Sequence, residues 1–149
     1  MRVARARVQD LARILAIERS CFGRDAWDES FFRAYLNAWP DLFLVAKIGA
    51  RTLGYSIAAI RGTRADLESI AVDPRRVRRG IATVLLKRTL TLVQRRGAAS
   101  AGLMVEVDNV PAVALYQHFG FRRTRTVRNY YGDGRHAWRM SIALERTSW

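Results

Sequence analysis

At 149 residues, 50% of them hydrophobic, the chain is long enough for one folded domain, 1–149, that buries about two thirds of its unfolded surface. Its longest apolar stretches, Leu42 to Ala46 and Ile57 to Ile60, fall far short of the roughly 20 residues that span a bilayer; Met1 to Arg7 lacks the apolar core of a secretory signal; one cysteine, Cys21, allows no internal disulfide; a cytoplasmic location away from membranes is expected. The net charge of +13 is almost wholly arginine and would draw polyanions at low salt, yet the arginines are scattered along the chain rather than concentrated in one tail or helix, which argues against a dedicated nucleic-acid partner.

Val3 to Arg7 reads as a short first strand, and Val8, Leu11, Leu15 and Ile17 to Ser20 carry a helical apolar stripe. Asp28 offers an N-cap for a second helix, Glu29 to Ala38, which Trp39-Pro40 closes. Leu42 to Ile48, a turn at Gly49-Ala50, and Thr52 to Arg61 read as an antiparallel hairpin, followed by a fourth strand from Asp66 to Val72. A third helix runs from about Gly80 to Arg96, ending in a basic turn and Gly97. After a fifth strand, from about Ala101 to Val107, Asn109 caps a fourth helix with Pro111 in its first turn and Gly120 past its end. Phe121 to Asn129 and Ala137 to Leu144 are the last two strands, flanking a loop from Tyr130 to His136. A helix between the fourth and fifth strands is a crossover, so those strands run parallel. The fold class is α/β (α+β), a mixed sheet of about seven strands with four helices. His118 and His136, without further thiols, make no metal constellation.

The segment joining the fourth strand to the third helix, Val72-Asp73-Pro74-Arg75-Arg76-Val77-Arg78-Arg79-Gly80-Ile81-Ala82-Thr83, is built to hold an anion. The first amides of a helix have no intrahelical partners and lie at the positive end of its dipole. Gly80 and Ala82 keep bulk away, while Arg75, Arg76, Arg78 and Arg79 bring planar forks suited to phosphate oxygens. By itself such a loop also reads as a solvated turn. Its order resembles the pyrophosphate loop of the GNAT acetyltransferases, Gln/Arg-x-x-Gly-x-Gly/Ala: Gly80 and Ala82 match, and Val77 stands where the family usually has Gln or Arg. The resemblance implies acetyl-CoA as cofactor, gripped mainly through main-chain amides of Val77, Arg78, Arg79, Gly80, Ile81, Ala82 and Thr83. It also implies the GNAT fold, with parallel fourth and fifth strands splayed at one end and Ile70, Ala71 and Val72 offering backbone groups to the pantetheine arm.

Leu103 to Phe121 resembles the family's second block, strand, Asn, Ala-x-x-Leu-Tyr, Gly-Phe, through Asn109, Ala112 to Tyr116, and Gly120-Phe121. This implies that Asn109 and Ala112 lie beside the pantetheine and that Tyr116 points its hydroxyl at the cofactor sulfur. Acetyl transfer needs an amine without its proton, a polarised thioester carbonyl and a proton for the departing thiolate. A phenol near pKa 10 can donate to a thiolate of comparable basicity, so Tyr116 is the candidate acid; it also fits as an apolar contact beside Leu115 and Phe119. The amide of Val72 or its neighbour is a candidate oxyanion donor. Glu68, just before the expected splay, is the first candidate base, acting through a water. The ribosomal-protein-alanine N-acetyltransferases, which the chain otherwise resembles, place a glutamate on the fifth strand after the leucine of Leu-Glu-Val. Met104 holds that place here, and Glu106, two residues on and facing the same side, is the second candidate.

Ile17 to Phe22 followed by Trp27-Asp28 resembles the first helix and loop of protein Nα-acetyltransferases, and Arg128 to Gly134 resembles the loop between their last two strands. That likeness implies that Phe22, Trp27, Tyr130 and Tyr131 wall the slot for the first substrate residues; read as residues alone, Tyr130-Tyr131-Gly132 is also a hairpin turn with aromatic packing. An α-amine near pKa 8 gives up its proton about 2.5 units more readily than a lysine, roughly 3.4 kcal/mol. The expected activity is acetylation of a protein N-terminus, a ribosomal protein among the candidate partners, by direct attack in a ternary complex. Acetylation of a small-molecule or lysine amine, and a non-catalytic acyl-CoA or nucleic-acid binding module, are the alternatives. The sequence carries no signal of oligomeric state.

Overall fold

The computed structural model describes residues 1–77 and 79–144. Seven strands, β1 (Arg2–Arg5), β2 (Phe43–Ile48), β3 (Arg51–Arg61), β4 (Arg64–Val72), β5 (Ser100–Glu106), β6 (Arg122–Gly132) and β7 (Arg135–Ala143), form one mixed sheet in the order β1-β2-β3-β4-β5-β7-β6. The helices α1 (Leu11–Phe22) and α2 (Glu29–Ala38) cover one face, and α3 (Ile81–Arg95) and α4 (Val110–Phe119) the other. β2 and β3 read as nearly unbroken apolar runs because both of their faces are covered: Phe43, Tyr55 and Ile57 meet Phe32 of α2 and Ile14 of α1, while Leu44 and Leu53 meet Leu85 of α3. Gly54 permits the close approach of β4 to β3, since a Cβ there would come within 2.8 Å of the Ala71 carbonyl oxygen.

Several element ends differ from those expected. The first helix opens with a 3-10 turn at Val8–Asp10, and Val8 is exposed rather than part of the apolar stripe. Asp10 turns back to accept from the Arg7 amide at 2.8 Å and pairs with buried Lys47 at 2.6 Å, and α1 proper begins only after it. Leu42 lies in the 3-10 turn Pro40–Leu42 instead of in β2. The expected loop from Tyr130 to His136 is largely strand: β6 continues to Gly132 and β7 starts at Arg135. Its pairing breaks between Val127 and Gly132, where Asn129 takes a positive φ of 55°, its amide donates to His136 Nδ1 at 3.0 Å, and its side chain accepts from the Gly134 amide at 2.9 Å. A polar residue that tolerates the left-handed region makes a long bulge where composition suggested a loop.

The feature that positions the site is the parting of β4 from β5. They pair in parallel only at Arg64–Ser100, Ala65–Ala101 and Asp66–Gly102. On β4's other edge the register to β3 shifts: Ile57 faces Ser69 and Ala58 faces Leu67, which leaves Glu68 as an extra residue. A bulge bends the strand that carries it and sharpens its twist, and here it turns β4 away from β5 directly after the last paired residue.

Candidate active site

Two cavities meet in the opening between β4 and β5. One, of about 560 Å³, runs between the end of β4 (Ile70 to Val72), the segment Arg76, Val77 and Gly80 to Thr83, and the first turns of α4. The other, of about 530 Å³, opens toward α1 and the β6–β7 hairpin and holds Glu68, Met104, Glu106, Trp27, Tyr131 and Arg135 among its lining. Six residues belong to both: Cys21, Phe22, Ile70, Asn109, Ala112 and Tyr116.

The first cavity ends on exposed helix amides. Gly80 is the N-cap of α3 in the left-handed conformation, φ 74°, and the first intrahelical bond runs from the Val84 amide to its carbonyl at 3.0 Å. The amides of Ile81, Ala82 and Thr83 therefore precede the helical ladder and face the cavity end, which suits a phosphate group. Along the cavity, β4 beyond Asp66 has no strand on its β5 side among the described residues, so its backbone groups are open to an extended polar ligand. These are the features a diphosphate-bearing cofactor with an amide-containing arm requires. Arg79 is exposed and lies off the cavity lining, and Arg78 lies outside the described residues.

Arg75 turns away from the cavity to bind Asp73, which is only 3% exposed. Asp73 also pairs with Arg13 of α1 and accepts from the Arg75 amide at 3.0 Å, and so ties the entry of α3 to α1. Burial opposes its ionisation, but the Arg75 amide and guanidinium, together with Arg13, hold its carboxyl at about 2, below the ordinary 3.8. A carboxyl lowered on folding stabilises the fold above its ordinary value, and that contribution is lost as pH falls through the folded value. Asp73→Asn, which keeps the cap but not the charge, should cost about 1–3 kcal/mol at pH 7, with the wild-type and variant melting curves converging as pH drops toward about 2. Equal melting temperatures at pH 7 would contradict this role.

At the junction of the cavities, Tyr116 is 7% exposed, packs edge-on against Phe121 with ring centroids 5.8 Å apart, and has no hydrogen-bond partner for its hydroxyl among the described residues. Burial, with a smaller push from Tyr131, raises its pKa, so it holds its proton. Its position is set by α4, which Asn109 caps by accepting from the Ala112 amide and Gly120 ends in a left-handed turn. The Cys21 thiol donates to the Val72 carbonyl at 3.3 Å, and burial, only partly offset by that bond, pushes its pKa up.

The second cavity is rich in carboxylates, most already engaged. Glu68 accepts from Arg61 at 2.9 Å, and Arg61 also reaches Asp66 and the Tyr35 hydroxyl. Glu106 is held by Arg135 at 2.8 and 3.3 Å, and Arg135 reaches across to Asp25 at 2.6 Å. That bridge fastens the turn after α1 to the β6–β7 hairpin over the cavity mouth. The neighbouring carboxylates raise the Arg135 pKa, and burial pushes the Tyr131 phenol to about 12. Met104 lines this cavity beside Glu106. Trp27 stacks on Phe31 at 4.2 Å and stays half exposed at the rim. Tyr130 is exposed, edge-on to Tyr131, and lies off the lining.

Among the lining residues that sequence reasoning missed are Glu18 and Arg135. Glu18, 1% exposed on α1, accepts from the Tyr55 and Ser69 hydroxyls and from the Trp27 amide at 2.9 Å. An acid beside Ile14, Leu15 and Ile17 on an otherwise apolar helix face was the available signal. Arg135 had none, because its partners lie 29 and 110 residues away.

Residues 11–121 match the family model described as the acetyltransferase (GNAT) family. The chain belongs to the GNAT family. This GNAT acetyltransferase is 30% identical, over an alignment that covers 96% of its own length and 93% of the relative's, to an N-alpha-acetyltransferase of Sulfurisphaera tokodaii. It is 34% identical over 116 residues, 69% of its length and 78% of the relative's, to the ribosomal protein bS18-alanine N-acetyltransferase of Escherichia coli. The crystal structure of Ard1 from Thermoplasma volcanium superposes with a TM-score of 0.90 over 95% of this chain and 96% of that one, at 23% identity, a likeness of fold. The GNAT acetyltransferase is an acyltransferase that uses acetyl-CoA, and the amide-lined cavity fits that molecule. No helix among the described residues is long and apolar enough to cross a membrane.

Proposed function

We propose that this enzyme transfers the acetyl group of acetyl-CoA to the α-amino group of a protein N-terminus, ribosomal proteins among its targets, by direct attack in a ternary complex. The observation that carries the reading is the buried hydroxyl of Tyr116, without a hydrogen-bond partner among the described residues, where an amide-lined cavity meets an acid-lined one. The first cavity accepts the diphosphate and pantetheine, through Ile70, Ala71, Val72, Asn109 and Ala112 along its walls and the amides of Ile81, Ala82 and Thr83 at its end. The second admits a peptide end between Trp27 and Phe22 on one side and Tyr131 on the other, where Glu18, Glu68, Glu106 and Asp108 favour an ammonium group. The two named relatives of similar length act on N-termini, which supports this choice of amine.

Acetyl-CoA supplies the acetyl group as a thioester. The N–C bond forms as the C–S bond breaks, the amine's proton passes to a carboxylate, and Tyr116 gives its proton to the thiolate. Cys21, kept protonated at the junction, is a poor acyl acceptor, which favours direct attack. Glu68, at the bulge, serves as base through a water, with Glu106 the second candidate. Glu68→Gln should lower kcat/KM about tenfold at pH 6 and less at pH 9, where the α-amine is already neutral; a ratio that stays flat with pH would pass the role to Glu106.

Mass spectrometry of lysine-containing peptides incubated with acetyl-CoA, each with a free or a blocked N-terminus, tests the amine. Acetyl groups confined to free α-amines are expected. Acetylated lysines on blocked peptides, or acetylated polyamines with untouched peptides, would overturn the reading.

A further inference from the structure

Four of the seven residues from 122 to 128 are arginine: Arg122, Arg123, Arg125 and Arg128. The sheet order makes their strand, β6, the terminal one, so one of its edges is open. All four are exposed, and among the described residues none of them makes an ion pair. Their neighbours on β7 and at its start behave differently: Arg135 is spent on Asp25 and Glu106, and Arg139 on Asp66. The Arg123 guanidinium lies over the Trp138 ring, 4.8 Å from its centroid.

A single charge suffices to keep a free edge from pairing with another sheet. Four exposed guanidinium groups with no carboxylate among them form a local positive field, screened by salt, that attracts a polyanion. Residues 122–128 span about 20 Å at roughly 3.3 Å per residue, long enough to lie along several phosphates of one extended strand. The strand then leads through Asn129 and Tyr130 to Tyr131, which lines the peptide cavity.

We propose that the outer edge of β6 docks the phosphate backbone of RNA, holding the enzyme where protein N-termini emerge beside RNA. The choice of RNA over other polyanions rests on the N-terminal reading above; the docking surface itself does not. Guanidinium forks bind phosphate oxygens in pairs; by their register to β7, Arg122 and Arg125 flank the edge from one face of the sheet and Arg123 from the other, with the open edge amides of β6 as further donors. Such contacts select for charge rather than base sequence, with micromolar or weaker affinity at physiological salt.

Fluorescence anisotropy with a labelled single-stranded RNA 20-mer tests this. With four phosphate contacts, log K should fall with log salt at a slope of about −2.8, so affinity drops about fiftyfold between 50 and 200 mM KCl. The Arg122→Gln/Arg125→Gln/Arg128→Gln variant should flatten that slope to about −0.7 while keeping the wild-type melting temperature and the wild-type kcat/KM on a short peptide. An unchanged slope in the variant, or no binding by the wild type at 50 mM KCl, would overturn the proposal. Tighter binding of a DNA 20-mer, or equal competition by oligoglutamate, would overturn the assignment to RNA. Wild-type enzyme that binds RNA but acetylates no peptide would count against the N-terminal reading and leave the docking edge standing.

Discussion

Tyr116→Phe is expected to lower kcat by about 10²- to 10³-fold while leaving acetyl-CoA affinity within about twofold. The ring is 7% exposed and packs against Phe121, so phenylalanine fills the same space and no cavity opens. What is lost is one hydroxyl that has no hydrogen-bond partner among the described residues. Burial raises the phenol's pKa, which by itself would weaken it as an acid. The departing thiolate forms in the same low-dielectric junction and is made more basic by the same desolvation, so the pair stays matched. As the proposed acid, the hydroxyl would act on charge that develops only as the C–S bond breaks, so the loss is expected in kcat rather than in binding. Steady-state rates with a free-N-terminus peptide, beside a direct measurement of acetyl-CoA binding, decide it. Unchanged kcat would remove Tyr116 from the acid role.

Ala82→Glu should weaken acetyl-CoA binding about 100-fold or more and at the same time leave the protein as stable as before, or slightly more so. Ala82 lies in the first turn of α3, where a carboxylate is favoured by the helix dipole by about 0.3–1 kcal/mol. That same carboxylate would stand where the diphosphate must sit. Two like charges about 5 Å away at an effective dielectric of about 40 cost roughly 3 kcal/mol, before any steric exclusion. Stability and affinity moving in opposite directions separates anion binding at these amides from mere support of the fold. An acetyl-CoA affinity within a few-fold of wild type would show that the diphosphate lies elsewhere.

The frame of the site was legible in the sequence wherever local chemistry dictates backbone. Asp28, Asn109, Pro111, Gly80 and Gly120 mark helix ends by capping and by positive φ, and α2, α3 and α4 fall within a residue of the expected bounds. The crossover between β4 and β5 fixed their parallel sense for the same reason. What escaped depends on residues distant in sequence. β7 lies between β5 and β6, which no local pattern encodes. The bulge at Glu68 that opens the cleft follows from register against β3. The commitment of Glu68 to Arg61, the Asp25–Arg135–Glu106 bridge and the burial of Glu18 under Tyr55 are all tertiary pairings. Tyr130 and Tyr131 were singled out together, but alternation along an extended β6 separates them: one lines the cavity and the other faces solvent.

The central claim is that Tyr116 stands between an acetyl-CoA cavity and a cavity for a protein N-terminus. A crystal structure with CoA joined through an acetyl linker to the α-nitrogen of a short peptide tests it most directly. The diphosphate is expected on the amides of Ile81, Ala82 and Thr83, the sulfur within hydrogen-bond reach of the Tyr116 hydroxyl, and the peptide leaving between Trp27 and Tyr131 beneath the Asp25–Arg135 bridge. A sulfur remote from Tyr116, or a peptide leaving by any route other than that cavity, would contradict it.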